Sequence, residues 1–428
     1  MKASLARGSA GIRFIENNNW RVMLTTLVVA LVYILSTNGL FINIAGFDLN
    51  PSKLFVISFL PVLILMIRGK VFYQEDLFFY MFIAFALIKA LMFQDFKLAT
   101  SMSNFIIPFL FYMVIRENLS RLNLKFLVAI ILLWSALHAG FGILQFISGD
   151  HGLLVIEETN EFKLKYASNY AFNPFEELLL LPHGLYGYSS VLAISLIFPL
   201  FLAAGARGLL SLPLFAIPFG IMAVTVFLCF SRFEILSLLL LLASMFFVVK
   251  DGARIMFARL LSMVALLVAA IATYLTLTDD SIGSVSARLL TSDVLDAMIP
   301  DAASLILGVP TIFSFLDNFG FNIPHNMYFY LLIAYGLVAA CLFSGYLWFK
   351  VLKYLKFYKR ISRLPKGNCE SFSIYIYVLL FLLFLLCLRA FDYYIIDGYE
   401  NILLFFYCFI ILDKIIDTYQ HVEYRSIS

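Results

Sequence analysis

Charge is what this chain has least of. Asp, Glu, Lys and Arg make up 13% of its 428 residues, while 63% are hydrophobic. A soluble domain carries about 25% charged residues, so this chain lacks the polar surface to cover a water-soluble particle of its size. Cysteine is sparse too. The five, Cys229, Cys341, Cys369, Cys387 and Cys408, fall in or beside apolar runs or on an inner connection, with no disulfide framework and no zinc spacing. No internal repeat is visible, which argues against the two-fold plan of many transporters. No long polar linker divides the chain, so residues 1–428 read as a single polytopic membrane domain. The first apolar run is too long for a leader and no small-residue cleavage site follows it, so the N-terminus reads as uncleaved. The net charge of +3 reflects inner-loop topology and implies no nucleic-acid surface.

What is present in abundance is long apolar runs. A bilayer core about 30 Å thick takes about 20 apolar residues in a helix. Candidate spans lie near 22–41, 54–67, 77–93, 101–115, 126–147, 188–204, 209–230, 233–249, 260–277, 327–348, 372–388 and 402–412. The expected fold is therefore all-α, a polytopic bundle of about a dozen spans. Backbone groups in lipid need internal partners, and continuous runs rather than short alternating strands exclude a β-barrel. Pro61 and Pro108 predict kinks in the second and fourth spans.

Basic residues orient the bundle. With both termini cytoplasmic, 30 Lys and Arg residues fall on inner segments except Lys53, Lys89, Lys97, Lys163, Lys165, Arg232, Arg288 and Arg389. Two outer segments, 148–187 and 278–326, are too long to be simple turns, and long connections tend to be functional. The inner connections are short apart from 350–371. The outer face is thus the expected working face. The second outer loop carries Asp279, Asp280, Asp293, Asp296, Asp301 and Asp317 against one cation, Arg288. Residues 294–308 suit a short amphipathic helix on the membrane surface.

Several outer-face residues stand out. Arg232 lies between two long apolar runs with almost no loop, where an ion is costly and a functional candidate by default; pairing with Glu234 or topological marking is the alternative. Arg389 ends another run on its outer side, with Asp392 or Asp397 as alternative partners. Arg232, Arg288 and Arg389 are the only arginines off the inner face, and guanidinium forks match phosphate oxygens. Three of them suit a membrane-held pyrophosphate. His325 and Asn326 lie just before a span, at the outer surface, where a histidine near neutral pKa suits proton transfer or serves as an ordinary interfacial side chain. His183 in Pro182-His183-Gly184 is a weaker candidate. Lys89, about a turn inside its span, either snorkels or meets a lipid phosphate. His138 reads as packed within a span, and His151 and His421 as solvated. Asp279-Asp280 are either solvated or hold a divalent cation with a phosphate.

Two stretches carry a family resemblance. One is Ser231-Arg232 followed by a Leu-rich span. The other runs from Ser286-Ala287-Arg288-Leu289 through Leu307-Gly308-Val309-Pro310 to His325-Asn326-Met327-Tyr328-Phe329 and Tyr335-Gly336-Leu337. Tyr186 and the run 191–202 match more loosely. This pattern, covering about the middle third of the chain, resembles the bacterial O-antigen polymerase and O-antigen ligase superfamily. It departs at Pro310, where the family often has a second glycine. The resemblance implies a glycosyltransferase C-like bundle in the bacterial inner membrane with its site on the periplasmic face. It implies a saccharide on undecaprenyl pyrophosphate as donor, arginines matching Arg232 and Arg288 on the pyrophosphate, and a histidine matching His325 activating the acceptor hydroxyl. It further implies inversion at the anomeric centre, with no metal and no cofactor.

The chemistry suits these residues. Two cations stabilise charge developing on a pyrophosphate leaving group, and a neutral base removes a proton from a sugar hydroxyl. The expected activity is polymerisation, moving a growing glycan from its undecaprenyl pyrophosphate onto a lipid-linked repeat unit. The expected partners are that donor and acceptor, membrane lipid and a chain-length regulator protein. Ligation to lipid A–core is the close alternative; an acidic outer loop fits a phosphate-rich core less well. A lipid-linked sugar transporter is the alternative of another class, resting on Lys89, His138 and Arg389 near membrane depth.

Overall fold

The computed structural model describes residues 20–37, 42–44, 47–66, 73–93, 96–148, 182, 189–229, 232–248, 302–309, 327–361, 371–387 and 399–427. Helices dominate. They are α1 (Trp20–Ser36), α2 (Pro51–Met66), α3 (Leu77–Met92), α4 (Phe96–Glu117), α5 (Leu124–Ser148), α6 (Ser189–Gly205) and α7 (Leu212–Leu228), followed by α8 (Arg232–Val248), α9 (Ala302–Leu307), α10 (Met327–Ile361), α11 (Phe372–Cys387) and α12 (Tyr399–Ile427). A short antiparallel hairpin, β1 (Ile42–Ile44) and β2 (Phe47–Leu49), joins α1 to α2, with Asn43 opposite Asp48. Among the described residues two helices, Leu124–Ser148 and Met327–Arg360, are each long and apolar enough to cross a membrane. Four more are apolar but shorter: Trp20–Ser36, Val191–Gly205, Leu212–Leu228 and Phe372–Cys387.

The packing follows from the distribution of apolar side chains. α11 is apolar on every side, and residues from Ile374 to Leu386 are buried around its whole circumference. A helix of that kind belongs in the middle of an assembly. It packs on α6 and α12, and α12 packs on α4. α3 shows the opposite arrangement of a boundary helix. Phe79, Phe82, Ala86 and Lys89 form a buried stripe at helical spacing, while Leu77, Phe78, Met81, Ile88, Leu91 and Met92 face outward. Phe79 stacks on Phe109 at 4.1 Å between centroids, and Phe343 meets Phe82 and Phe105 at 5.0 and 5.3 Å. These rings cement α3, α4 and α10.

The outer surface is unusual for water. Leu133, Leu137, Leu144 and Ile147 on α5, and Ile217, Val224 and Phe227 on α7, are exposed, whereas Asp76 and Lys350 are fully buried. Soluble monomers rarely expose apolar patches of that extent.

Pro61 and Pro108, where kinks are expected, lie inside the continuous helices α2 and α4, and an unexpected backbone break lies in α10 at Gly336. α10 continues past the expected span end to Ile361, so a good part of the expected inner connection 350–371 is helical. Its Lys350 and Lys353 have carboxylate partners on other elements, which keeps the charged stretch packed. Of the surface helix expected over 294–308, the described part is α9, Ala302–Leu307.

Candidate functional site

Arg232 is the first residue of α8. Arg288, His325, Asn326, Arg389 and His183 lie outside the described residues, as do Asp279 and Asp280. Their described neighbours nevertheless meet. α10 starts at Met327, directly after His325-Asn326, and the Tyr328 hydroxyl in its first turn donates to the Leu386 carbonyl at 2.9 Å. Leu386 sits three residues before Arg389 near the end of α11. The same convergence occurs between α7 and the segment before α6. The Cys229 thiol, three residues before Arg232, donates to the carbonyl of Pro182, the residue preceding His183, at 3.6 Å. Burial pushes the helix-flanking Cys229 into the interior at 0% exposure, so this contact lies inside the packed assembly.

The best-defined polar arrangement on this side centres on Lys89. Gly336 has φ 83° and ψ 170°, angles that only glycine adopts without strain. Such a residue interrupts the helical hydrogen-bond ladder, and carbonyls just before it need other donors. Ile333 and Ala334 find theirs outside α10. The Val309 N–H donates to the Ile333 carbonyl at 2.9 Å, and the Lys89 ammonium donates to the Ala334 carbonyl. Lys89 also donates to the Val309 carbonyl at 3.0 Å. One ammonium thus joins α10 to the turn after α9. The second positive-φ glycine, Gly308 (φ 77°), makes that turn. The structure places Lys89 at 2% exposure, its ammonium turned into the bundle. An ion at such depth is costly unless its donors find acceptors, and two main-chain carbonyls take two of the three.

A second polar centre occupies the other end of α3. Arg116 reaches Glu75 at 3.1 Å and Asp76 at 2.7 Å. Lys350 reaches the same two carboxylates at 3.2 and 3.0 Å. Lys353 bridges Glu75 at 2.9 Å and Asp413 at 3.2 Å. The Tyr112 hydroxyl donates to Asp413 at 2.7 Å and accepts from Lys350 at 3.0 Å. The Arg116 guanidinium lies over the Tyr73 ring at 3.7 Å, and the Tyr73 hydroxyl donates to Glu117. The three cations Arg116, Lys350 and Lys353 thus pair directly with Glu75, Asp76 and Asp413, and Glu117 adjoins them through Tyr73. Burial pushes the Glu75 carboxyl up, but Lys350 and Lys353 outweigh it and hold the group down at about 2. These side chains join α3, α4, α10 and α12. In sequence, Arg116, Lys350 and Lys353 stand out only as inner-face charges. A usable signal was present: Asp76 and Asp413 directly abut apolar runs on that same face.

Between α5 and α7 an apolar cavity of about 580 Å³ opens, walled by Leu133, Leu137, Phe141, Leu144, Ile217 and Pro218 among others. Among the described residues no group of three or more His, Cys, Asp or Glu side chains is placed to hold a metal ion. His138 is buried on α5 near Trp134, whose indole donates to Thr37 at 3.0 Å. No protein-family model matches the chain, and no curated protein matches it.

Proposed function

We propose that this protein is an integral inner-membrane glycosyltransferase, a bundle of about a dozen spans with cytoplasmic termini, that polymerises O-antigen or a related surface polysaccharide. It takes a growing glycan from undecaprenyl pyrophosphate and moves it to a hydroxyl on a lipid-linked repeat at the periplasmic face. The acceptor oxygen bonds to the anomeric carbon as the bond to pyrophosphate breaks. His325 receives the hydroxyl proton. Arg232, Arg288 and Arg389 take up the charge that develops on the leaving pyrophosphate, while Asn326 and His183 support the site.

The observation that carries this reading is the Tyr328–Leu386 hydrogen bond. It joins the start of α10, directly after His325-Asn326, to the end of α11, three residues before Arg389, which supports a site shared by these residues. The meeting of Gly308 with Gly336 joins two further pieces of the family-like pattern. The outward apolar surface of α3, α5 and α7 fits lipid as the surrounding solvent.

The test is made with purified protein in detergent, given lipid-linked repeats and no ion gradient. Elongation is expected, and His325→Ala should abolish it while donor binding persists. Transfer to lipid A–core in place of repeats would favour ligation. Movement of lipid-linked sugar across vesicles without glycan growth would favour a transporter. Loss of donor binding in His325→Ala would remove its role as base.

A further inference from the structure

Lys89 lies on α3, yet it donates to main-chain carbonyls of the segments flanking 310–326. Val309 is the last described residue before that segment, and Ala334 follows it on α10. The backbone there is already under constraint. Gly308 and Gly336 touch backbone to backbone, and a Cβ on Gly308 would stand 2.7 Å from the Lys89 nitrogen. The ammonium therefore fills the corner where the turn after α9 crosses the break in α10. Another tie between the two sides, among the described residues, is the Val309–Ile333 bond. A hydrogen bond to a charged group is stronger than one between neutral groups, so the ammonium is the stronger fastening of the two. We infer that Lys89 is a positioning residue: it locks the α9–α10 crossing and so fixes where the chain enters and leaves the segment that carries His325.

This inference rests on the transferase reading for its catalytic consequence, though not for the lock itself. It also differs from a direct ligand role. A lysine that bound lipid phosphate would set donor affinity, whereas a lock sets the orientation of the reacting groups. Misplacement of a catalytic group by about 1 Å can cost about 100-fold in rate.

The experiment uses the full chain in lipid nanodiscs, with Cys341, Cys369 and Cys387 replaced by alanine. Nitroxides on Ile306→Cys and Leu352→Cys, both exposed, report the α9–α10 distance. Lys89→Met keeps the length and removes the donors; Ile88→Met, on the outward face of the same helix, is the control. The unsubstituted lysine should give one narrow distance distribution, Ile88→Met the same, and Lys89→Met a broadened or shifted one. In the elongation assay at matched folded protein, Lys89→Met should lower kcat by about 10- to 100-fold with KM for the lipid-linked donor within about two-fold. An unchanged distribution or an unchanged kcat overturns the inference, and a collapse of donor binding makes Lys89 a ligand instead. Should Lys89→Met fail to fold, Lys89→Gln, which keeps a donor but loses the charge, is read in the same two assays, with a smaller broadening and a smaller fall in kcat expected and no change in either overturning the inference; failure of both to fold reduces Lys89 to a general folding residue. Absence of elongation by the unsubstituted chain would sink the transferase reading alone, and the distance distributions would still decide the lock.

Discussion

Gly308 and Gly336 approach so closely that neither tolerates a side chain. A Cβ on Gly308 would stand 2.7 Å from the Gly336 nitrogen, and one on Gly336 would stand 2.5 Å from the Gly308 nitrogen and 2.2 Å from the Ile306 carbonyl oxygen. Both residues also have positive φ. The crossing of α9 and α10 thus depends on two glycines far apart in sequence, and the break in α10 follows from it.

Gly336→Ala should therefore destabilise the protein by at least about 1–3 kcal/mol from backbone strain, with the overlap at Ile306 adding to it. Gly220 provides the contrast. It lies within α7 with open space around it, so Gly220→Ala should be neutral or gain up to about 1 kcal/mol of helix stability. Thermal unfolding of the two variants in the same detergent checks the pair. Equal stability of both would mean that the crossing is not close in solution.

The buried charges predict a non-additive pair. Asp76→Asn leaves Arg116 and Lys350 short of a carboxylate and should cost about 3–5 kcal/mol. Combining it with Lys350→Met removes the excess charge and should recover a large part of that loss. A double-mutant cycle on unfolding midpoints reads the coupling. Additive losses would show that Asp76 and Lys350 act independently.

Glu75 sets a pH window. Its folded value is depressed to about 2 from an ordinary 4.5. A depressed carboxylate contributes stability that is complete above its unfolded pKa and is lost as pH falls through the folded one. Stability from Glu75 should thus be constant near neutrality and decline between about pH 4.5 and 2. Glu75→Gln should flatten that part of the profile, which unfolding midpoints followed from about pH 6 down to about pH 3 would reveal. A slope unchanged by the substitution would assign the acid sensitivity elsewhere.

Arg288→Lys should impair transfer nearly as much as Arg288→Ala. Lysine keeps the charge and loses the bidentate fork. Glycan laddering in cells with matched membrane abundance measures it. Full activity of the lysine variant would reduce Arg288 to a generic positive charge.

Elongation should continue in a strong chelator if, as proposed, arginines carry the charge on the leaving group. Activity lost in chelator and restored by magnesium or manganese would shift the role to Asp279 and Asp280.

Hydropathy alone determined that the chain is helical and where most helices lie, because an apolar run of sufficient length is a local property. α5, expected over 126–147, is Leu124–Ser148, and α11, expected over 372–388, is Phe372–Cys387. Gly308 and Gly336 entered only as parts of the family-like pattern, and their close approach, between residues far apart in sequence, was not legible. Partnership was not legible either. Lys89 reads in sequence as a lysine near a span end, and its carbonyl partner on Ala334 is 245 residues away. Asp76, Arg116, Lys350 and Asp413 each look like a charge at the inner rim, and only the packing of α3, α4, α10 and α12 turns them into one paired centre. The extension of α10 to Ile361 has the same origin, because its Lys350 and Lys353 are held by carboxylates on other elements. Burying an ion is unfavourable until a partner is supplied, and only the tertiary structure determines which distant residue supplies it.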